Sequence, residues 1–371
     1  MSKWKELAQK STEWIPVLFV AVVYFLYHLY MKAGIGDDAV FLTTSDYMTL
    51  PEFWVSLYET FTPRFLINSF EYSLPHAWWV WSVLNYAITL GLFIILLKWT
   101  KRSGQTDGLI VTALFLTYPI ANMKEAGWMS TTVNYWWILF AVLVALLPLY
   151  KSVMDLERRW YHYLFAVLGL LYATDHEQGA LILLLYLLAY GVWLFLQRTV
   201  PDGYVIVAFV WTVFRLILAS VAPGIVHRNE LSISLYMPNF SGFGPGEKIY
   251  LGLLHMTKVF LMGHNWVTFA FALLLFLCVL GKFGYKIRTY IAFMPFLISF
   301  IYMFQSILEE VFPWLYDFFY TCESVGTVEW HRPSTYFPMF ILGLFIASSL
   351  YSLWFLLEEN KKGRTLVILT Y

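Results

Sequence analysis

Charge is scarce in this sequence. Only 13% of its 371 residues are Asp, Glu, Lys or Arg, about half the share carried by soluble domains. So few charges cannot coat a water-soluble globule when 60% of the residues are hydrophobic and 20% aromatic, so the class is a multi-pass membrane protein. Cysteine is nearly missing too. Cys278 lies in an apolar run and Cys322 in a loop; two cysteines make no disulfide framework, and these two are not expected to pair. No Cys or His spacing reads as a zinc site. No P-loop, GxGxxG fingerprint or serine-nucleophile motif occurs, so nothing points to a nucleotide substrate. The 24 basic residues equal the 24 acidic ones and are scattered along the chain, which leaves a nucleic-acid partner without support. No internal repeat is visible at any period.

What is present is a succession of apolar runs. A span needs about 20 apolar residues. Ten segments are candidates, several of them short: 14–32, 77–98, 108–122, 134–150, 161–174, 178–197, 203–221, 265–282, 289–308 and 335–356. The first follows Lys3, Lys5 and Lys10. It is too long for a signal-peptide core and lacks a small-x-small cleavage site, so it reads as an uncleaved span. Placing that cationic start inside threads both termini to the cytoplasmic side. Sixteen of the 24 Lys and Arg then fall in inner segments and seven in outer ones, with Arg215 inside a span, as the positive-inside rule requires. Inner connections are short. Three outer segments are long, 33–76, 222–264 and 309–334, and long ordered loops usually carry function. The expectation is a single all-α transmembrane domain over 1–371, a polytopic bundle of about ten spans with its active side on the outer face.

Two outer segments read as helices that should not span, the first interfacial and the second interfacial or re-entrant. In "TLPEFWVSLYETF" the apolar residues Leu50, Phe53, Trp54, Leu57, Tyr58 and Phe61 recur at helical spacing. Thr49 and Glu52 have the spacing of a capping box, with Pro51 at a tolerated early position. The opposite face is polar, which suits an interfacial helix. The second is "EKIYLGLLHMTKVFLMGH". His255 and Lys258 interrupt it, and counting it as a span would invert the charge bias of everything that follows.

Polar residues in such a chain are few enough to weigh one by one. Asp37 and Asp38 in "AGIGDDAVFL" follow Gly34 and Gly36 at the end of the first run. They read either as a solvated loop start or as carboxylates held at the membrane surface, to act as a general base or to hold a divalent cation. Arg215 falls inside the seventh span, where a charge costs roughly 2.5–3.5 kcal/mol at the centre, so it either snorkels or meets an anion. Arg228, beyond the forced turn "APG", has the fork geometry that binds phosphate. His331 and Arg332 stand just before the last span, as a flank anchor or an anion site. In "ATDHEQGA", Asp175 reads as a hairpin-turn residue, whereas His176 and Glu177 sit where a pocket between helices would open. Trp128, Asn134, Tyr135, Trp136 and Trp137 read as an interfacial aromatic belt or as a sugar-stacking surface. Arg64 in "TPRFLINSF" is the weakest of these signals.

Five short motifs together resemble the GT-C superfamily of polytopic membrane glycosyltransferases, and more closely a bacterial multi-pass branch related to it. They are "GIGDD" followed by an amphipathic interfacial helix, "NYWW" at the fourth span, "HEQ" after the fifth, "APGIVHR" after the seventh and the late "HRPSTYF". The resemblance implies a polyprenyl-phosphate-linked sugar as donor and an envelope glycan or polymer as acceptor, on the outer face of a bacterial cell membrane. It also implies that Asp37 or Asp38 serves as base. Arg228 and Arg332, supported by Arg215 and His331, would bind the donor phosphate. His176, Glu177, Trp128, Asn134, Tyr135 and Arg64 would line the substrate pocket. The only cofactor it leaves open is a divalent cation at Asp37 and Asp38. Two other classes fit the same composition: a transporter of lipid-linked glycan, and a non-catalytic partner subunit on the same scaffold.

Overall fold

The computed structural model describes residues 14–100, 105–118, 120–262, 265–315, 330 and 333–358. The described residues form helices and turns, with no β-strand among them. In chain order the helices are α1 (Ile15–Tyr30), α2 (Asp37–Thr44), α3 (Leu50–Thr60), α4 (Phe65–Ser73), α5 (Trp78–Thr100), α6 (Gln105–Leu116) and α7 (Trp128–Ala145). Then come α8 (Leu147–Val153), α9 (Trp160–Ala173), α10 (Glu177–Gln197), α11 (Gly203–Val221) and α12 (Pro223–Tyr236). The series ends with α13 (Pro245–Phe260), α14 (Trp266–Phe283), α15 (Ile287–Met303), α16 (Gln305–Val311) and α17 (Pro333–Glu358). The expected single domain comprises two compact units, divided in sequence between Asn229 and Glu230.

Helix boundaries fall where local chemistry puts them. Thr49 caps α3, its N–H and Oγ1 both donating to the Glu52 carboxylate at 2.8 Å, which is the expected capping box. Asp202 caps α11 by accepting from Tyr204 N–H at 2.8 Å, and Asn265 caps α14 by accepting from Thr268 N–H at 3.0 Å. Ala222, extended before Pro223, ends α11. A π-turn at Thr132–Trp136 widens α7 near its start.

Among the described residues six helices are long and apolar enough to cross a membrane: residues 75–100, α7, α10, α11, α14 and the 335–356 part of α17. The bent pair α15–α16, broken by 69°, makes a seventh if it counts as one span. Each of the ten expected spans does contain a helix. Three of these, α1, α6 and α9, have 16, 12 and 14 residues and fall short of the length of a straight crossing. The helix expected in "EKIYLGLLHMTKVFLMGH" is present as α13.

The core of the first unit is aromatic and close-packed. Trp81, Phe93, Trp136 and Trp137 are buried with Val20, Tyr24, Ile138 and Leu183. The indole N–H groups of Trp136 and Trp137 donate to Thr89 Oγ1 and Asn85 Oδ1, each at 2.9 Å. These two tryptophans therefore belong to the interior and not to an interfacial belt. Gly169 of α9 packs directly on α7, where a Cβ would stand 2.7 Å from the Ala141 carbonyl oxygen. Small residues at such a crossing let two membrane helices approach through their backbones.

Candidate functional site

The first four N–H groups of any helix need acceptors from outside it. The start of α7 has none of its own, because Gly127 occupies the cap position. Asp38 fills that role from a distant part of the chain. Its Oδ2 accepts from Met129 N–H at 3.0 Å, and its Oδ1 from Ser130 N–H at 2.8 Å and Ser130 Oγ at 2.7 Å. Gly127 adopts φ +110°, and a Cβ there would stand 2.5 Å from Asp38 Oδ1, so only glycine leaves room for the carboxylate. Asp38 is 1% exposed; burial pushes its carboxyl up from the usual range, against the pull of the three donors. Asp37 points the other way. Its N–H donates to the Ala126 carbonyl at 2.9 Å, while its carboxylate is exposed and unpaired among the described residues. The adjacent aspartates thus divide into one cap and one free acid.

A second carboxylate caps a helix in the same fashion. Asp175 Oδ2 accepts from Ile67 N–H, in the first turn of α4, at 2.9 Å. Its Oδ1 takes a hydrogen bond from Arg215 Nη2 at 2.7 Å, and Arg215 also donates to the carbonyls of Thr174 and Pro63. Asp175 lies in the hairpin turn as expected, and it is buried there. Burial raises its carboxyl to about 6 despite the opposing Ile67 N–H and Arg215. Arg215 is spent on this internal pair, so its charge is already balanced within the chain.

A continuous polar network runs from Glu177, two residues beyond Asp175, to the Asp38 cap. Arg64 forks onto Glu177, with Nη2 to Oε2 at 2.5 Å and Nε to the same oxygen at 3.1 Å. Its Nη1 donates to Asn134 Oδ1 at 2.9 Å. Asn134 Nδ2 then donates to Glu71 Oε1 at 2.6 Å and to the Ser130 carbonyl at 3.0 Å, which leads back to Asp38. Glu71 is the residue that sequence reasoning missed. It is 5% exposed, and burial raises its carboxyl to about 8, with Asn134 and Arg64 opposing. One signal was available: Ile67, Asn68 and Glu71 share the buried face of α4.

Beside the network lie His176 and Arg228. His176 caps α10, its Nδ1 accepting from Gln178 N–H at 3.2 Å. An accepting Nδ1 leaves the proton on Nε2, and Nε2 is buried without a partner. Burial, with Arg64 and Arg228 near and Glu177 opposing, lowers the imidazole to about 4, so the ring is neutral. Tyr135, exposed, stands 5.6 Å from it, ring centre to ring centre. Arg228 is half-buried over the Phe61 ring, 5.1 Å from its centre. It gets there because Gly224 lets α12 sit on the end of α3, where a Cβ would stand 2.5 Å from Phe61 N. Among the described residues Arg228 has no carboxylate partner.

Of the expected site residues, Asp37, Asp38, Arg64, Asn134, Tyr135, His176, Glu177 and Arg228 therefore belong to one unit and are tied to the network or border it. Trp128 does not line an opening: it is 2% exposed and part of the core. His331 and Arg332 lie outside the described residues. A divalent cation finds no cage at the aspartates. Asp38 is committed to its three donors, and the described residues contain no group of three metal-ligating side chains. Compared with known proteins, the chain matches no family model, no curated protein and no solved structure.

Proposed function

We propose that the chain is a membrane glycosyltransferase that moves a sugar from a polyprenyl-phosphate donor to an envelope glycan on the outer face. The observation that supports this reading is the pairing of two unsatisfied charges with a rigid frame. Asp37 is a free carboxylate on α2, which the network from Asp38 to Glu177 holds, and Arg228 is a guanidinium without a carboxylate partner among the described residues, on α12, which Gly224 seats against the end of α3. In the reaction, Asp37 takes the proton of the acceptor hydroxyl as its oxygen bonds to the anomeric carbon. The bond from that carbon to the phosphate oxygen breaks, and the lipid phosphate leaves with the electron pair. Arg228 stabilises the charge gathering on the phosphate. A single displacement of this kind inverts the anomeric centre. Asp38 acts as a positioning residue through its hold on α7. In this reading all ten helical segments cross the bilayer, with both termini inside.

The test is made in the cell that carries the protein. Asp37→Asn, at wild-type protein level, is expected to lose the same envelope sugar as a deletion. Wild-type glycan from that variant would remove the base from the mechanism. The broken pair α15–α16 favours a second reading, transport of a lipid-linked glycan, because transporters use discontinuous helices. Movement of lipid-linked sugar without a new glycosidic bond would decide for it.

A further inference from the structure

The candidate site lies at the start of α10, and the other end of that helix carries a feature that the proposed reaction leaves unused. An open groove of about 590 Å³ runs between the second half of α10 and the first half of α11. Leu187, Gly191 and Phe195 line it from α10, Val205 and Phe209 from α11, and Thr199 from the connecting loop. Volumes of about 300–1,000 Å³ suit small ligands. Gly191 keeps the groove open, because a Cβ there would meet nothing within 4 Å. With 21 residues, α10 rises about 30 Å, so its last turn is far from Glu177 and the candidate site.

The lining fixes the chemistry of an occupant. Its side chains are apolar except Thr199, whose Oγ1 turns back to the Leu194 carbonyl at 3.4 Å. A polar solute would lose its hydrogen bonds there, whereas a hydrocarbon chain has none to lose. Bilayer tails are as apolar as leucine, so an acyl chain gains nothing by the hydrophobic effect on entering. It gains contact with walls that are otherwise bare, and selection among lipids falls to the headgroup. Arg198 provides for that selection. It stands between Gln197, the last residue of α10, and Thr199. Arg158 is held by Asp202 at 3.2 Å and Arg159 by Glu157 at 3.0 Å. Arg198 is exposed, and among the described residues no carboxylate pairs with it. The partial charges at the end of α10 and the start of α11 have opposite signs, so they leave its charge uncompensated. Its φ is +55°, the left-handed conformation in which helices commonly end on glycine. An arginine at that conformational cost points to a use for its side chain.

We propose that the groove holds one acyl chain of an anionic glycerophospholipid whose phosphate pairs with Arg198, a resident lipid at the end of α10 opposite the candidate site. The proposal needs α10 and α11 to cross the bilayer, and it does not depend on the glycosyltransferase reading.

The experiment reconstitutes the full chain in phosphatidylcholine vesicles. Separate preparations carry equal amounts of phosphatidylglycerol or phosphatidylcholine bearing the same photoactivatable acyl chain, and labelled peptides are mapped by mass spectrometry after irradiation. Labelling within 187–209 by the phosphatidylglycerol probe should exceed that by the phosphatidylcholine probe about fivefold, the scale of one basic residue at an anionic headgroup. Arg198→Gly should abolish the preference and fold at least as well as wild type, since glycine suits the left-handed φ. Arg198→Lys should keep the preference. Gly191→Leu, which fills open space, should reduce labelling of the groove by both lipids severalfold without lowering the Tm. Equal labelling of the wild type by the two probes, a preference that survives Arg198→Gly, or labelling unchanged in Gly191→Leu would each overturn the proposal. Stronger labelling by a polyprenyl phosphate with the same photoactivatable group would overturn it too, and would give the groove to the tail of the donor.

Discussion

Replacing Asp38 with alanine removes the acceptor for two backbone amides at the start of α7 and for the Ser130 hydroxyl. A buried unsatisfied donor costs about 1–3 kcal/mol, so Asp38→Ala should cost about 2–5 kcal/mol and lower the Tm in detergent by many degrees. Asp37→Asn should change stability by less than about 0.5 kcal/mol, as surface substitutions do, while abolishing transfer. An equal loss of stability in both variants would contradict the division into cap and free acid. Glu71 gives a prediction in pH. A carboxyl whose folded value is raised binds more protons folded than unfolded, so stability falls as pH rises towards that value. Below pH 6.5 the lowered His176 works in the opposite direction, and Asp175 has already titrated near 6. From there to about 8 the strongly raised carboxyl is that of Glu71, with Asp38 raised in the same direction. Over that window the Glu71 linkage amounts to about 2 kcal/mol. Wild-type Tm should therefore fall between pH 6.5 and 8, and Glu71→Gln should flatten the profile. What the sequence disclosed at this scale was residue type and neighbourhood. The Asp37–Asp38 pair and His176 stood out because charge is rare here. Glu71 did not, because its burial depends on Asn134 and Arg64, which lie 63 and 7 positions away along the chain.

Local signals served best for single helices. The Thr49–Glu52 capping box and the Pro223 stop were legible because capping and proline chemistry act within four residues. Caps supplied from afar were not. Asp38 for α7 and Asp175 for α4 act across 91 and 108 positions, and no spacing rule reaches that far. The glycines at these junctions carry the constraint. Gly127→Ala places a Cβ against Asp38 Oδ1 and the Ile35 carbonyl at φ +110° and should cost at least about 2–3 kcal/mol. Gly34→Ala is also at positive φ, +75°, but meets nothing within 4 Å. It should cost about 1 kcal/mol, from backbone strain alone. Thermal melting of the two variants side by side separates them. Equal costs would mean that Gly127 serves only its own dihedral angle and not the Asp38 cap.

Across the first unit the caps decide how the chain threads. Asp37 and Asp38 hold Ala126, Met129 and Ser130, so the start of α7 lies at the same end as α2. A helix rises 1.5 Å per residue, and α5, with 23 residues, carries the chain about 34 Å away from that end. The chain must therefore return through α6, although its 12 residues are too few for a straight apolar crossing. The same holds for α9. Asp175 at its end is bonded to Ile67 of α4, and α7 has carried the chain away, so the 14 residues of α9 bring it back. Length alone would discard both helices as spans, whereas the caps bring the chain back to the same end of the unit, which is compatible with the even threading proposed above. Single cysteines at Asp46, Asn122, Glu157 and Thr199, in a background with Cys278→Ser and Cys322→Ser, test this directly. A membrane-impermeant maleimide applied to intact cells should label Asp46→Cys and Asn122→Cys alike. Glu157→Cys and Thr199→Cys should react only after the membrane is opened. If α6 and α9 do not cross, Asn122 and Glu157 exchange sides relative to Asp46, and the shared outer face of Asp37, His176 and Arg228 loses its basis.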